Sequence, residues 1–313
     1  MIELLQSSPG VFVSVALIFG LLIGSFLNVV IYRLPVMMQR AWRADCITYL
    51  SNQEPAPGID KPEYDRLFGA LADATDQSPF NLVFPRSACP SCGHAIRSWE
   101  NVPLLSYLFL RGRCAQCRTT ISPRYPAIEL ITGLASAAIA WRFGFGVEAA
   151  VAMLLSWSLI ALTMIDFDHQ LLPDSITLPL LWLGLGLSLF HDSVTASVLF
   201  ISPRDSIIGA IAGYALLRGV YELFKLVTGK EGMGFGDFKL LAALGAWLGW
   251  KLLPLIIMLS AVVGAAVGIG LMVFKRHGRE VPIAYGPYLA AAGWVALMWG
   301  DELMRFYSEL VSL

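Results

Sequence analysis

Charge is scarce in this chain: 14% of its 313 residues are charged, against 57% hydrophobic. A water-soluble domain of that composition would lack the polar surface to cover itself, so the bilayer is its natural solvent. Runs of Lys or Arg and basic patches interleaved with aromatics are missing, and the net charge is −1, which sets nucleic acid aside as a partner. Basic residues are also missing ahead of the first apolar run, about Val11 to Ile31, where Glu3 is the charged residue and no small-residue cleavage site follows. That run reads as a retained anchor rather than a secretory signal. No repeat of fixed period appears. The five cysteines, at 46, 89, 92, 114 and 117, do not suit a disulfide framework.

What the sequence has in abundance is apolar helix. Helical runs are expected at 11–31, 126–142, 147–165, 176–191, 207–227, 238–250, 252–274 and 284–304, each near the ~20 residues that cross a bilayer core or somewhat shorter. The pair 238–250 and 252–274 is the least regular, because Lys251 and Pro254 fall at its hairpin. Basic residues collect in cytoplasmic loops, so Arg33, Arg40, Arg43, Arg111, Arg113, Arg118 and Arg124 place 32–125 inside and the N-terminus outside. Lys225 and Lys230, then Lys275, Arg276 and Arg279, are placed inside by the same rule, which demands an even number of crossings between 238 and 274. The expected fold is an all-α polytopic membrane protein of about eight transmembrane helices with a small cytoplasmic zinc-ribbon-like insertion. Its parts are a first transmembrane helix at 1–31, a cytoplasmic domain at 32–125 and a membrane domain at 126–313. The Pro-, Asp-, Glu- and Ser-rich stretch within 51–80 is expected to be a mobile loop without a helical apolar face.

Within the insertion, Cys89-Pro-Ser-Cys92 and Cys114-Ala-Gln-Cys117 each put two thiolates on one tight turn. Four soft ligands in tetrahedral array suit a structural Zn²⁺. A redox-active C-x-x-C needs a βαβ context that is absent. His94 is a bystander if four cysteines fill the shell, and Cys46 reads as a structural thiol.

Carboxylates occur at span ends in two places. In Asp166-Phe167-Asp168-His169-Gln170-Leu171-Leu172-Pro173-Asp174 an apolar helix ends in three of them, and in Gly234-Phe235-Gly236-Asp237-Phe238-Lys239 a glycine-rich turn delivers Asp237 to the next span. Ionisable groups at such places default to functional hypotheses. The topology puts Asp166 and Asp237 at the same boundary, the arrangement an aspartic protease requires: one carboxyl keeps its proton and polarises the scissile carbonyl, while the other activates water. Gly234 and Gly236 let backbone approach a substrate strand. Lys239 adds a charge just inside the span, Asp174 reads as the N-cap of the helix from about Ile176, and Asp168 goes to solvent or a local hydrogen bond.

These residues resemble the bifunctional prepilin peptidases. The resemblance spans nearly the whole chain and rests on Gly24-Ser25-Phe26-Leu27-Asn28-Val29-Val30, both cysteine pairs, Ser98-Trp99-Glu100-Asn101-Val102-Pro103, Arg124-Tyr125-Pro126-Ala127-Ile128-Glu129-Leu130, both aspartate motifs, and Tyr285-Gly286-Pro287-Tyr288. It implies a bacterial inner-membrane enzyme with Asp166 and Asp237 as catalytic pair and Cys89, Cys92, Cys114 and Cys117 as zinc ligands. Its substrates would be type IV prepilins and type II secretion pseudopilins, cut after a leader glycine and then N-methylated from S-adenosylmethionine by the cysteine-bearing part. Gly112 and Arg113 belong to that methyltransferase part by the resemblance, with Arg113 standing where the family commonly has Lys. Two rivals come from other classes. A transporter would hold carboxylates near the bilayer midplane. A scaffold that docks pilus or secretion assembly proteins through its zinc ribbon leaves the paired carboxylates unexplained.

Overall fold

The computed structural model describes residues 2–54, 60–73, 78–191, 199–230, 232–275 and 284–311. Among the described residues, nine helices of thirteen or more residues carry the architecture: α1 Pro9–Ser51, α2 Lys61–Asp73, α3 Arg124–Phe143, α4 Val147–His169, α5 Asp174–Ser188, α6 Pro203–Thr228, α7 Phe235–Leu248, α8 Leu253–Lys275 and α9 Gly286–Val311. No strand occurs among the described residues; two isolated antiparallel bridges, Ala88 with Ala95 and Arg113 with Thr120, belong to the cysteine turns. Each of the eight expected spanning segments falls largely in helix, with 176–191 and 238–250 running two or three residues past the helix ends and 284–304 starting two residues early. By length and composition, Pro9–Ser51, Val147–His169, Pro203–Thr228 and Trp250–Gly270 are each long and apolar enough to cross a membrane. The chain forms two compact units, one of Met1–Leu27 with Pro126–Leu313 and one of Asn28–Tyr125.

In the larger unit α7 is the central element. It has only 14 residues, yet every side chain from Leu240 to Leu248 is buried. A helix that is apolar all round belongs inside a protein. Its backbone touches that of α6, because a β-carbon on Gly209 would lie 2.1 Å from the Gly245 carbonyl oxygen and one on Gly213 would lie 2.6 Å from that of Leu241. Small residues allow this approach, which supplies dispersion contacts where lipid leaves little hydrophobic driving force. From α5, Gly184 opens room for the Trp247 indole, whose Nε1 donates to the Leu180 carbonyl at 2.7 Å. Ser202 caps α6 by accepting the Asp205 amide at 3.1 Å, with Pro203 in the first turn. The first eighteen or so residues of α1 pack on α3 through Gly20 and Gly24, where β-carbons would lie 2.4 Å from Ser136 Oγ and 2.6 Å from Glu129 Cα. The Gly24 and Glu129 motifs therefore meet at a helix contact.

The smaller unit departs from expectation twice. The first helix does not stop at residue 31: it continues past Pro35 to Ser51, for 43 residues in all. The apolar run ends near residue 31, but Met, Gln, Arg and Ala beyond it are good helix formers that need no membrane. Residues 61–73, expected as mobile loop, form α2; its Tyr64, Leu67, Phe68 and Leu71 recur with helical spacing, and Pro62 sits in the first turn, where a missing amide costs little. The Tyr64 hydroxyl donates to the Leu50 carbonyl at 2.6 Å. Buried Arg33 donates to the carbonyls of Asn81 (2.8 Å) and Pro85 (2.6 Å), tying the loop before the cysteines to α1. Residues 55–59, 74–77, 192–198 and 276–283, which include parts of the two long connections and Arg276 and Arg279, lie outside the described residues.

Candidate active site and metal centre

Three helix ends meet around Asp166. On the last turns of α4, Asp166 is 6% exposed, and its Oδ2 is buried without a hydrogen-bond partner. The helix ends at Gln170, whose amide returns to the Asp166 carbonyl at 2.9 Å and whose φ of 51° is left-handed. That conformation costs a residue with a β-carbon on the order of 1 kcal/mol. It reverses the chain so that buried Leu172 wedges against the starts of two other helices: β-carbons on Gly236 and Gly286 would lie 2.7 Å from Leu172 Cβ and 3.2 Å from its Cδ1.

The G-x-G-D turn has a local logic. Gly234 is the N-cap of α7 and accepts the Asp237 amide at 3.2 Å; the Gly234 amide in turn donates to the Asp237 carboxylate. This is the returning half of a capping box, which fixes Asp237 at the third helical position. Gly236 is bare because Leu172 leaves no room for a side chain. Asp237 is also 6% exposed, and the charges of Asp166 and Asp237 act on each other, so the fold brings together the two carboxylates separated by seventy-one positions.

Of the supporting residues, Asp174 takes a different place from the one expected. Pro173 is the N-cap position and Asp174 is the first helical residue of α5, without a side-chain cap. Its carboxylate instead accepts from Lys239 Nζ at 2.6 and 2.7 Å, linking the starts of α5 and α7. Lys239, at the edge of a span, thus has a counter-charge. Asp168 is exposed.

The cysteine unit is a pair of matching turns. In the first, the Cys89 amide donates to His94 O (2.9 Å), Gly93 to Cys89 O (2.9 Å) and Ile96 to Ser87 O (2.9 Å). In the second, Cys114 donates to Thr119 O (2.8 Å), Arg118 to Cys114 O (3.1 Å) and Ile121 to Gly112 O (2.7 Å). Position for position they repeat at an offset of twenty-five, an internal repeat too short for periodicity to reveal in sequence. Gly93 and Arg118 both take positive φ, 72° and 62°.

All four sulfurs lie within 4.8 Å of one another, with Cys89 to Cys117 at 3.8 Å and Cys92 to Cys114 at 4.0 Å. Sulfurs at about 2.3 Å from a tetrahedral zinc are about 3.8 Å apart, so the residues fit that ion. Amides of Ser91 and Cys92 hold the Cys89 thiol below its ordinary value, and the Thr119 hydroxyl and amide hold Cys117 down at about 6. Against the pull of the His94 amide, desolvation and the neighbouring sulfurs push Cys92 up to about 12. A metal would displace that remaining proton. His94 is no ligand: its Nε2 lies 3.0 Å from Glu100 Oε2, and Glu100, which also accepts the Arg97 amide, is held below the usual carboxylate range by these contacts.

A bacterial peptidase A24 N-terminal domain matches residues 18–143, containing the four cysteines. The type IV leader peptidase family matches 153–269, containing both aspartates. The chain belongs to the type IV leader peptidase family. Among its relatives in that family, the prepilin leader peptidase/N-methyltransferase of Stutzerimonas stutzeri is 52% identical over 313 residues, covering 100% of this chain and 99% of that protein. Those of Aeromonas hydrophila and Pseudomonas aeruginosa are each 50% identical, over 98% and 99% of this chain and 97% and 98% of theirs. No solved structure matches this member of the family.

Sequence reasoning passed over Leu172, Gly286 and Tyr285 as site residues. Tyr285-Gly286-Pro287-Tyr288 stood out as a motif, but nothing local showed that it reaches Asp166.

Proposed function

We propose that this chain is an inner-membrane leader peptidase that cuts type IV prepilins and type II secretion pseudopilins after the glycine ending the leader, and then N-methylates the new N-terminus. The observation that carries the reading is the burial of Asp166 and Asp237 at the ends of two apolar helices, within electrostatic reach of each other. One carboxyl hydrogen-bonds the scissile carbonyl oxygen while the other takes a proton from water, whose oxygen bonds to the carbonyl carbon. The C–N bond then breaks, and the amine leaves with a proton returned by the pair. No covalent enzyme intermediate forms.

The cysteine unit is assigned the second step. There the freed amine attacks the methyl carbon of S-adenosylmethionine, the thioether product leaves and the amine's proton goes to solvent. Zinc on Cys89, Cys92, Cys114 and Cys117 is structural. Gly112, buried with φ 65° against Tyr107, serves the turn into the second cysteine pair, whereas exposed Arg113 is available to reactants. Charge placement puts the N-terminus in the periplasm and the cysteine unit in the cytoplasm, so the aspartates face the boundary where a basic prepilin leader ends. Pilus or secretion assembly proteins are further partners on this reading. A transporter is disfavoured because both carboxylates sit at helix ends rather than mid-helix.

The test is mass spectrometry of a detergent-solubilised prepilin after incubation with purified enzyme. Wild type is expected to cut after the leader glycine and, with S-adenosylmethionine, to add the mass of one methyl group. Asp166→Asn and Asp237→Asn are expected to cut the prepilin at no more than about a thousandth of the wild-type rate. Folded wild type that leaves it uncut, or cleavage by either variant near the wild-type rate, contradicts the assignment.

A further inference from the structure

Asp166 has a neighbour that the aspartate pair does not account for. A β-carbon on Gly286, the first residue of α9, would lie 2.6 Å from Asp166 Oδ2 and 3.2 Å from Cγ. The Gly286 amide faces the same carboxylate. Just before it, the Tyr285 hydroxyl lies 2.7 Å from Ser260 Oγ on α8. Ser260 is fully buried and directs its own proton to the Ile257 carbonyl at 3.0 Å, so Tyr285 is the donor of that pair. The Tyr285 hydroxyl also lies within electrostatic reach of Asp237, and the Tyr285 carbonyl accepts the amides of Tyr288 and Leu289 at 3.1 and 3.2 Å. The turn is thereby pinned at both ends.

A buried carboxylate oxygen without a hydrogen bond calls for an explanation, because leaving such a group unpaired costs free energy. Here the unpaired atom, Asp166 Oδ2, is the one packed against bare Gly286. We propose that Tyr285 and Gly286 are a third working part of the peptidase site. Gly286 orients the Asp166 carboxylate with its amide and, having no side chain, lets Oδ2 lie against its backbone, where a β-carbon would push the carboxylate out of place. Tyr285, anchored on Ser260, holds that backbone in place. Both are positioning residues, and the inference rests on the assignment of Asp166 and Asp237 above.

The experiment compares full-length wild type, Gly286→Ala, Tyr285→Phe and Gly286→Ala with Leu172→Ala in detergent. It reads kcat and KM for prepilin cleavage together with methyl transfer onto pilin supplied already cleaved. Gly286→Ala is expected to lower kcat by about 100-fold or more, as small misplacements of reacting groups do, with KM little changed and methyl transfer retained. Tyr285→Phe, which removes one oxygen, is expected to lower kcat by roughly tenfold without changing KM. Adding Leu172→Ala relieves the crowding at 3.2 Å but not that at Asp166, so activity is expected to stay low. Cleavage by Gly286→Ala within about threefold of wild type overturns the proposal, as does its rescue by Leu172→Ala, which would mark the glycine as a packing residue. If Gly286→Ala also loses methyl transfer, Tyr285→Phe decides, and an unchanged kcat there overturns the proposal. Wild type that cleaves nothing defeats the peptidase assignment itself; active Gly286→Ala beside inactive aspartate variants defeats this inference alone.

Discussion

Residues 28–125 and the rest of the chain are held together by opposite means. In the larger unit α7 is buried on every side and its backbone contacts that of α6 across Gly209, Gly213 and Gly245. In the smaller unit, among the described residues, the buried hydrophobic side chains are Val30, Ile31, Cys114 and the prolines Pro35 and Pro103, three of them on α1. So small a core holds a fold poorly, and four sulfurs within 4.8 Å of one another could hold a metal that compensates. One unit depends on close packing of apolar helices, the other on local hydrogen-bonded turns around a cysteine cluster that fits a metal.

The strongest way to break this contrast is to remove the metal. Structural zinc binding is worth on the order of 10 kcal/mol, so chelation, or Cys89→Ser with Cys92→Ser, is expected to unfold the cysteine unit and abolish methyl transfer. Prepilin cleavage is expected to fall much less; equal loss of both activities, measured side by side, would mean that the metal staples the whole enzyme. The reverse perturbation is Gly209→Leu, whose β-carbon would start 2.1 Å from the Gly245 carbonyl oxygen. Overpacking of about 3 kcal/mol or more is expected, with loss of cleavage and a lower thermal midpoint in detergent, while zinc content stays stoichiometric. The smallest effect sharpens the likeness between the two cysteine turns. Arg118 has φ 62° where the first turn has Gly93, so Arg118→Gly is expected to stabilise the zinc-loaded unit by about 1 kcal/mol and Gly93→Ala to destabilise it by a similar amount, read by thermal or chelator titration.

Much of this was legible in the sequence, for reasons that also mark where reading stopped. Apolar runs of spanning length showed the eight helices, and the short 238–250 segment was retained by the even crossing count that the basic residues required. C-x-x-C spacing showed the four-cysteine cluster, which fits a metal, and G-x-G-D showed a helix start. Continuation of α1 to Ser51 was missed because hydropathy reports the membrane's thickness and not the helix's end. The helix at 61–73 was missed because the Pro-, Asp-, Glu- and Ser-rich composition of the stretch outweighed its four periodic apolar residues. Asp174 was read as a cap from its neighbours alone, whereas Lys239, distant in sequence, claims it. Leu172 and Gly286 act through contacts formed only once three helix ends converge, and a single sequence holds no signal for that.

The central claim is that Asp166 and Asp237 act as one unit, and a double-mutant cycle on prepilin cleavage tests it most directly. With rates measured for Asp166→Asn, Asp237→Asn and the double variant, the account predicts that the double variant is no slower than the slower single, because a pair stripped of one member has nothing further to lose. Losses that multiply, each aspartate contributing regardless of the other, would contradict it.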